Sequence, residues 1–135
     1  MNKLTSLPSP AKSGGAGVGR AAWVAQQKGR KAVLYVVKVW SEDEVFFKVG
    51  VTFDLGRRFS RLKTCYKWRT VARYSSWNPG KVWGLEQALH RAFAHLAYRP
   101  AASFSGFTEC YGEVQQLLAA LPVGTFFLKN QDTLI

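Results

Sequence analysis

From residue 33 onward, the pattern of hydrophobic and polar positions divides the chain into recognisable elements. Residues 33–40, Val-Leu-Tyr-Val-Val-Lys-Val-Trp, are β-branched and aromatic and predict a strand. The polar run Ser41-Glu42-Asp43-Glu44 predicts a turn, and residues 45–51 predict a second strand. Together they read as an antiparallel hairpin whose near-continuous apolar content predicts burial on both faces. Thr52 or Asp54 is placed to cap a helix over residues 55–62, with Leu55, Phe59 and Leu62 on one side and Arg57, Arg58 and Arg61 on the other. Residues 70–77 alternate and predict a third strand, which Asn78-Pro79-Gly80 terminates. The strongest helical period covers residues 83–97, with Leu85, Leu89, Ala92, Phe93 and Leu96 as its apolar stripe. Residues 109–121 predict a last helix, with Val114, Leu117 and Leu118 inward, and residues 124–128 have the character of an edge strand. The expected fold is therefore α/β (α+β): a small three-stranded antiparallel sheet flanked by helices, in the order β-β-α-β-α-α.

Residues 1–30 lack this patterning. They mix Pro, Gly and Ser with Lys3, Lys12, Arg20, Lys28 and Arg30, contain no acid, and predict a flexible basic tail with at most a short helical stretch near residues 21–31. The expected organisation is a tail over residues 1–30, one domain over 31–128, and a C-terminal tail over 129–135. At 135 residues and 47% hydrophobic content, the chain has material for one core.

Charge changes the picture most. Nineteen Lys and Arg face eight Asp and Glu, a net charge of +11. Such a surplus favours a polyanion, with DNA or RNA first among the candidates. A membrane partner is not expected, because no stretch is long and apolar enough to span a bilayer and none reads as a basic amphipathic anchor. Cys65 and Cys110 stand far apart in no secreted-type framework, and the N-terminus lacks the apolar core of a signal peptide, which points to a reducing cytoplasm.

The surplus is concentrated. Between Asp54 and Glu86 there is no acid, but there are Arg57, Arg58, Arg61, Lys63, Lys67, Arg69, Arg73 and Lys81. Tyr66, Trp68, Tyr74 and Trp77 are interleaved among them, a composition suited to phosphate neutralisation and base stacking. A solvated charged face would normally mix signs. Glu86 is the first acid after this segment, and His90 lies one helical turn further on. A carboxylate facing a positive surface is placed to hold Mg²⁺ against a phosphate, although an ordinary exposed helical Glu has the same signature. A zinc site from Cys65, His90, His95 and Cys110 is weakly supported, because no close cysteine pair exists. Nucleophile-elbow and Walker-type motifs are absent.

Leu34-Tyr35-Val36, Lys48-Val49-Gly50, Arg58 and Glu86 occur in an order and spacing that resembles the GIY-YIG nuclease superfamily, over about residues 33–121. The likeness is greatest to the phage and bacterial branch whose second motif reads like Lys-Ile-Gly. In that branch a helical Glu-x-x-x-His, here Glu86 to His90, precedes a Thr-Glu-aromatic element, here within residues 106–111. The resemblance implies metal-dependent hydrolysis of DNA phosphodiester bonds with one Mg²⁺ or Mn²⁺ ion. Tyr35 would orient the attacking water or the phosphate, Arg58 would clamp the phosphate, and Glu86 would bind the metal. Gly50 would allow close approach to the backbone. The family's second-motif tyrosine, its general base, is replaced by Lys48, which would act as a base only with a lowered pKa and otherwise as a phosphate binder. Tyr35 or His90 would then supply the base. Arg57, Arg61, Lys63, Lys67, Arg69 and Arg73 are the expected DNA contacts. One site per chain implies nicking, with a homodimer needed to cut both strands. The competing reading is a non-catalytic DNA-binding module on the same scaffold.

Overall fold

The structure is a computed structural model, and it describes residues 19–59, 66–101 and 110–128. The described elements are α1 (Arg20–Val24), β1 (Ala32–Trp40), β2 (Val45–Thr52), α2 (Leu55–Phe59), β3 (Lys67–Ser76), α3 (Pro79–Ala92), β4 (Cys110–Tyr111), α4 (Gln115–Ala119) and β5 (Phe126–Phe127). A 3-10 turn, Ala94–Leu96, follows α3. All strand pairings are antiparallel, in the order β4-β2-β1-β3-β5.

The α+β class is as expected, but the sheet has five strands rather than three. The hairpin and third strand form its centre, and two two-residue strands line its edges. β5 falls within the stretch that reads as an edge strand. β4 corrects the expectation of a continuous helix over residues 109–121. Cys110 pairs with Lys48 and Tyr111 with Phe47, giving the outer backbone groups of β2 partners that a helix there would leave unmet. Gly112 then breaks the chain, and the helix is confined to the five residues of α4.

β1 is the central strand. It pairs with β2 from Val33↔Thr52 to Trp40↔Val45, and with β3 along its other edge. A register shift at Val36/Val37 leaves Val71 as an extra residue on β3. Alternation then sorts the side chains. Leu34, Val36, Phe47 and Val49 point to one face and meet Val82 and Leu89 of α3. Tyr35, Val37, Val39 and Phe46 point to the other and meet Phe59 of α2, Tyr66 and Cys110.

α3 begins four residues earlier than its period suggests. Asn78, which reads as a breaker, is the N-cap: its Oδ1 accepts from the Lys81 N–H at 3.1 Å, with Pro79 in the first turn. Part of the expected tail is also folded. Trp23 of α1 is buried and stacks on Phe53 with ring centroids 4.4 Å apart, with Trp83 at 5.5 Å. Residues 1–18 and 129–135 lie outside the described residues.

The hairpin turn is held by Glu44. Its carboxylate accepts hydrogen bonds from the Tyr66 and Tyr98 hydroxyls and from the Ala101 N–H. Burial pushes this carboxyl up, but the three hydrogen bonds together outweigh burial and hold it below its ordinary value of 4.5. The same contact raises the Tyr98 hydroxyl above its usual value.

Candidate functional site

The first group of motif residues is built by strand register on the α2 side of the sheet. Tyr35 lies directly opposite Gly50. The ring occupies the space over the glycine: a Cβ there would collide with the Tyr35 hydroxyl and come within 2.7 Å of Cζ. Gly50 is therefore required because Tyr35 lies across it. Two residues back, Lys48 shares this face. Its Nζ donates to the Val49 carbonyl at 3.2 Å and sits 5.8 Å from the Tyr35 ring centroid. Phe59 meets the Tyr35 ring edge-on at 5.3 Å and stacks on Trp68 at 4.9 Å, which fixes α2 over this region. α2 is started by Asp54, whose Oδ1 accepts from the Arg57 N–H at 3.1 Å. Arg57 is exposed and Arg58 half-buried on this short helix.

The second group lies on the α3 side. Glu86 is one turn beyond Val82 and one turn before Leu89, at an inward position of the helix. Its Oε1 accepts from Gln87 Nε2 at 2.8 Å, and its Oε2 is 3.4 Å from His90 Nε2. His90 Nδ1 is hydrogen-bonded to the Tyr111 hydroxyl of β4, and the two rings lie nearly parallel, 13° apart. Tyr111 was not singled out from the sequence. The signal was there, since it is the aromatic of the Thr-Glu-aromatic element, but reading the segment as a helix hid its role.

β4 joins the two groups. Cys110 packs with Tyr35 on one face, and Tyr111 packs with Leu89 on the other. The structure thus brings Tyr35, Lys48 and Gly50 together, and likewise Glu86, His90 and Tyr111. Among the described residues only two charged side chains are buried, Lys48 at 0% exposure and Glu86 at 4%.

The predicted DNA contacts are dispersed. Lys67 and Arg73 are exposed on β3, while Arg69 is half-buried with its guanidinium 5.8 Å from the Trp40 ring. Arg61, Lys63 and Cys65 lie outside the described residues. Of the interleaved aromatics, Tyr66 and Tyr74 are buried, Trp68 is half-buried, and Trp77 is 62% exposed.

As a metal site, the Glu86 group offers one hard carboxylate. Among the described residues no three His, Cys, Asp or Glu side chains gather as a ligand set, and Cys65, one of the four candidate zinc ligands, lies outside them. One carboxylate suits Mg²⁺ or Mn²⁺ held mainly by water and phosphate oxygens.

Residues 32–117 match the model of the T5orf172 domain, well over half of the chain. The chain belongs to the T5orf172 domain family. The matched span runs from the start of β1 into α4, so both groups of buried polar residues lie inside the T5orf172 domain. No curated protein and no solved structure shows significant similarity to the chain. Among the described residues, no helix is long and apolar enough to cross a membrane.

Proposed function

We propose that this T5orf172 domain is a metal-dependent endonuclease that hydrolyses DNA phosphodiester bonds with a site of GIY-YIG type. One observation carries the reading: the only two charged side chains buried among the described residues, Lys48 and Glu86, are both among those that the motif resemblance selects. Both occupy positions where an apolar residue would serve the fold, Lys48 facing Val37 across the hairpin and Glu86 between Val82 and Leu89. Burying a charge costs stability unless it is well paired. Buried ionisable groups of this kind concentrate at functional sites.

In the proposed reaction, Arg58 holds the scissile phosphate and offsets its developing charge. Tyr35, fixed between Gly50 and Phe59, orients the attacking water by its hydroxyl. Lys48 donates to a carbonyl and lies against the Tyr35 ring, so it positions Tyr35. Glu86 is the residue to hold one Mg²⁺ or Mn²⁺ ion, which supplies Lewis-acid stabilisation of the leaving oxygen. His90, with its Nε2 3.4 Å from the Glu86 Oε2 and its Nδ1 held by Tyr111, helps set the carboxylate's position in the manner of an outer-shell partner. Water adds to phosphorus as it passes a proton by way of the Tyr35 hydroxyl to bulk water, the bond to the leaving oxygen breaks, and that oxygen takes up a proton from bulk water.

A second reading is a DNA-binding module that does not cut, favoured by Lys48 at the position where the resembled family carries its tyrosine base. Incubation of supercoiled plasmid with the purified chain and Mg²⁺ or Mn²⁺ separates the two. The nuclease reading expects metal-dependent nicking that falls by about 10²- to 10³-fold in Glu86→Gln. Binding without nicking at high enzyme concentration, or equal nicking by Glu86→Gln, supports the module instead.

A further inference from the structure

The row Gly50, Tyr35, Arg73, Phe126 runs straight across β2, β1, β3 and β5, each residue paired with the next. Paired residues in antiparallel strands project to the same face, so the row continues the Tyr35 side of the sheet outward to its β5 edge. Its inner half is covered, with Tyr35 and Gly50 buried beneath the α2 region. Its outer half is open. Arg73, Ser75 and Trp77 alternate along β3 and just past its end, and all three are exposed, while the intervening Tyr74 is buried toward the α3 side.

Two large aromatic rings stand in this open region, Trp77 at 62% exposure and Phe126 at 57%. Each is accompanied by a cation. Lys31 Nζ lies 5.6 Å from the Trp77 ring, and the Arg73 guanidinium lies 5.5 Å from the Phe126 ring. Trp77 is also anchored, because Gln27 Nε2 donates to its carbonyl at 2.8 Å. Residues 55–85 contain no acid, and neither do residues 114–130, so both segments that build the region contribute only positive charge.

We propose that this open β3–β5 face is a stacking platform for unpaired DNA bases, with Phe126 and Trp77 as the stacking rings and Arg73 and Lys31 as phosphate contacts beside them. The proposal rests on the nucleic-acid part of the function proposed above, and it goes beyond it in naming the surface and the form of DNA. Exposed aromatics on a soluble domain need a partner with flat apolar faces, and the one-signed charge selects a polyanion. Unpaired bases offer both, whereas bases within a duplex keep their faces stacked on one another. The row places such a strand in line with Tyr35.

The test is fluorescence anisotropy in EDTA, so that cleavage does not enter, with the full chain and a labelled 20-nucleotide single strand or the same sequence as a duplex. Phe126→Ala and Trp77→Ala are each expected to weaken single-strand binding by about 10-fold, with the salt dependence kept. Arg73→Ala is expected to weaken binding to both forms and to lower the slope of log affinity against log salt by about 0.7 on the single strand. Thermal melting confirms that these exposed-site variants fold. Unchanged single-strand affinity in both aromatic variants overturns the proposal, as does an equal loss on single strand and duplex. Polyglutamate competing as well as unlabelled oligonucleotide also overturns it, in favour of an acidic protein partner. Because the assay reads binding without metal, loss of nicking in Glu86→Gln neither supports nor harms this proposal.

Discussion

The face of the sheet that meets α3 is covered by a 14-residue helix, with further aromatic cover from α1, whereas on the opposite face, among the described residues, the five-residue α2 packs together with Tyr66, Trp68 and Tyr98. The same hairpin supplies both faces through alternate residues. On the α3 side it contributes Leu34, Val36, Phe47 and Val49, a conventional core. On the α2 side it contributes Val37, Val39 and Phe46 to a second apolar cluster, and beside them Tyr35, Lys48 and Gly50, an aromatic ring, a buried amine and a missing side chain. Both faces hold buried apolar clusters, and the second also holds the buried Lys48 and, at its outer end, the exposed Arg73 and Phe126. Glu86 is the exception on the first face. A charge retained in an otherwise apolar contact is hard to explain by stability alone.

The contrast can be broken by stability measurements. The largest effect is expected for Leu34→Ala, which empties a core site under α3 and should cost about 3 kcal/mol in urea denaturation, while Arg73→Ala on the open face should stay within about 0.5 kcal/mol. Equal losses would erase the distinction between the faces. Next is Gly50→Ala, which drives a methyl into the Tyr35 ring and should cost about 1–3 kcal/mol. That cost should largely vanish when Tyr35→Ala is combined with it; an additive double mutant would mean that the glycine does not serve the ring.

A smaller effect is expected at the hairpin turn. Glu44 has its carboxyl held below 4.5 in the folded chain, so its contribution is present above that pH and is lost as pH falls through the lower folded value. Glu44→Gln should lose about 1 kcal/mol at neutral pH and show a flatter loss of stability in acid. An unchanged acid limb would mean that the Tyr66 and Tyr98 contacts do not favour the ionised carboxylate. Smallest of all, Phe126→Ala should leave the melting temperature nearly unchanged, since the ring is more than half exposed.

The central elements were legible because they are long enough to show a period. β1, β2, β3 and α3 announce themselves by alternation or by an apolar stripe, and the prediction that the hairpin is buried on both faces follows from its unbroken apolar run. β4 was not legible, because two residues have no period and their strand character comes from pairing with β2. The same limit concealed the Tyr111–His90 contact, which depends on β4 lying beside α3. α1 lay in a stretch read as tail; Trp23 was the available clue, a large aromatic among small and polar residues. For the site, the sequence singled out Lys48 and Glu86, but not that both are buried. Parity along β1 and β2 follows from the sequence, whereas the face that α3 covers is decided by tertiary packing.

The central claim is that Lys48 and Glu86 are buried for chemistry rather than for the fold. Replacing each with an apolar side chain of similar size, as Lys48→Met and Glu86→Leu, tests it directly when melting temperature and metal-dependent plasmid nicking are measured on the same preparations. The account predicts melting temperatures equal to or above that of the unmodified chain, because apolar replacement of a buried charge is often neutral or stabilising, together with loss of nicking. A lowered melting temperature in both variants, or nicking that survives in both, would contradict it.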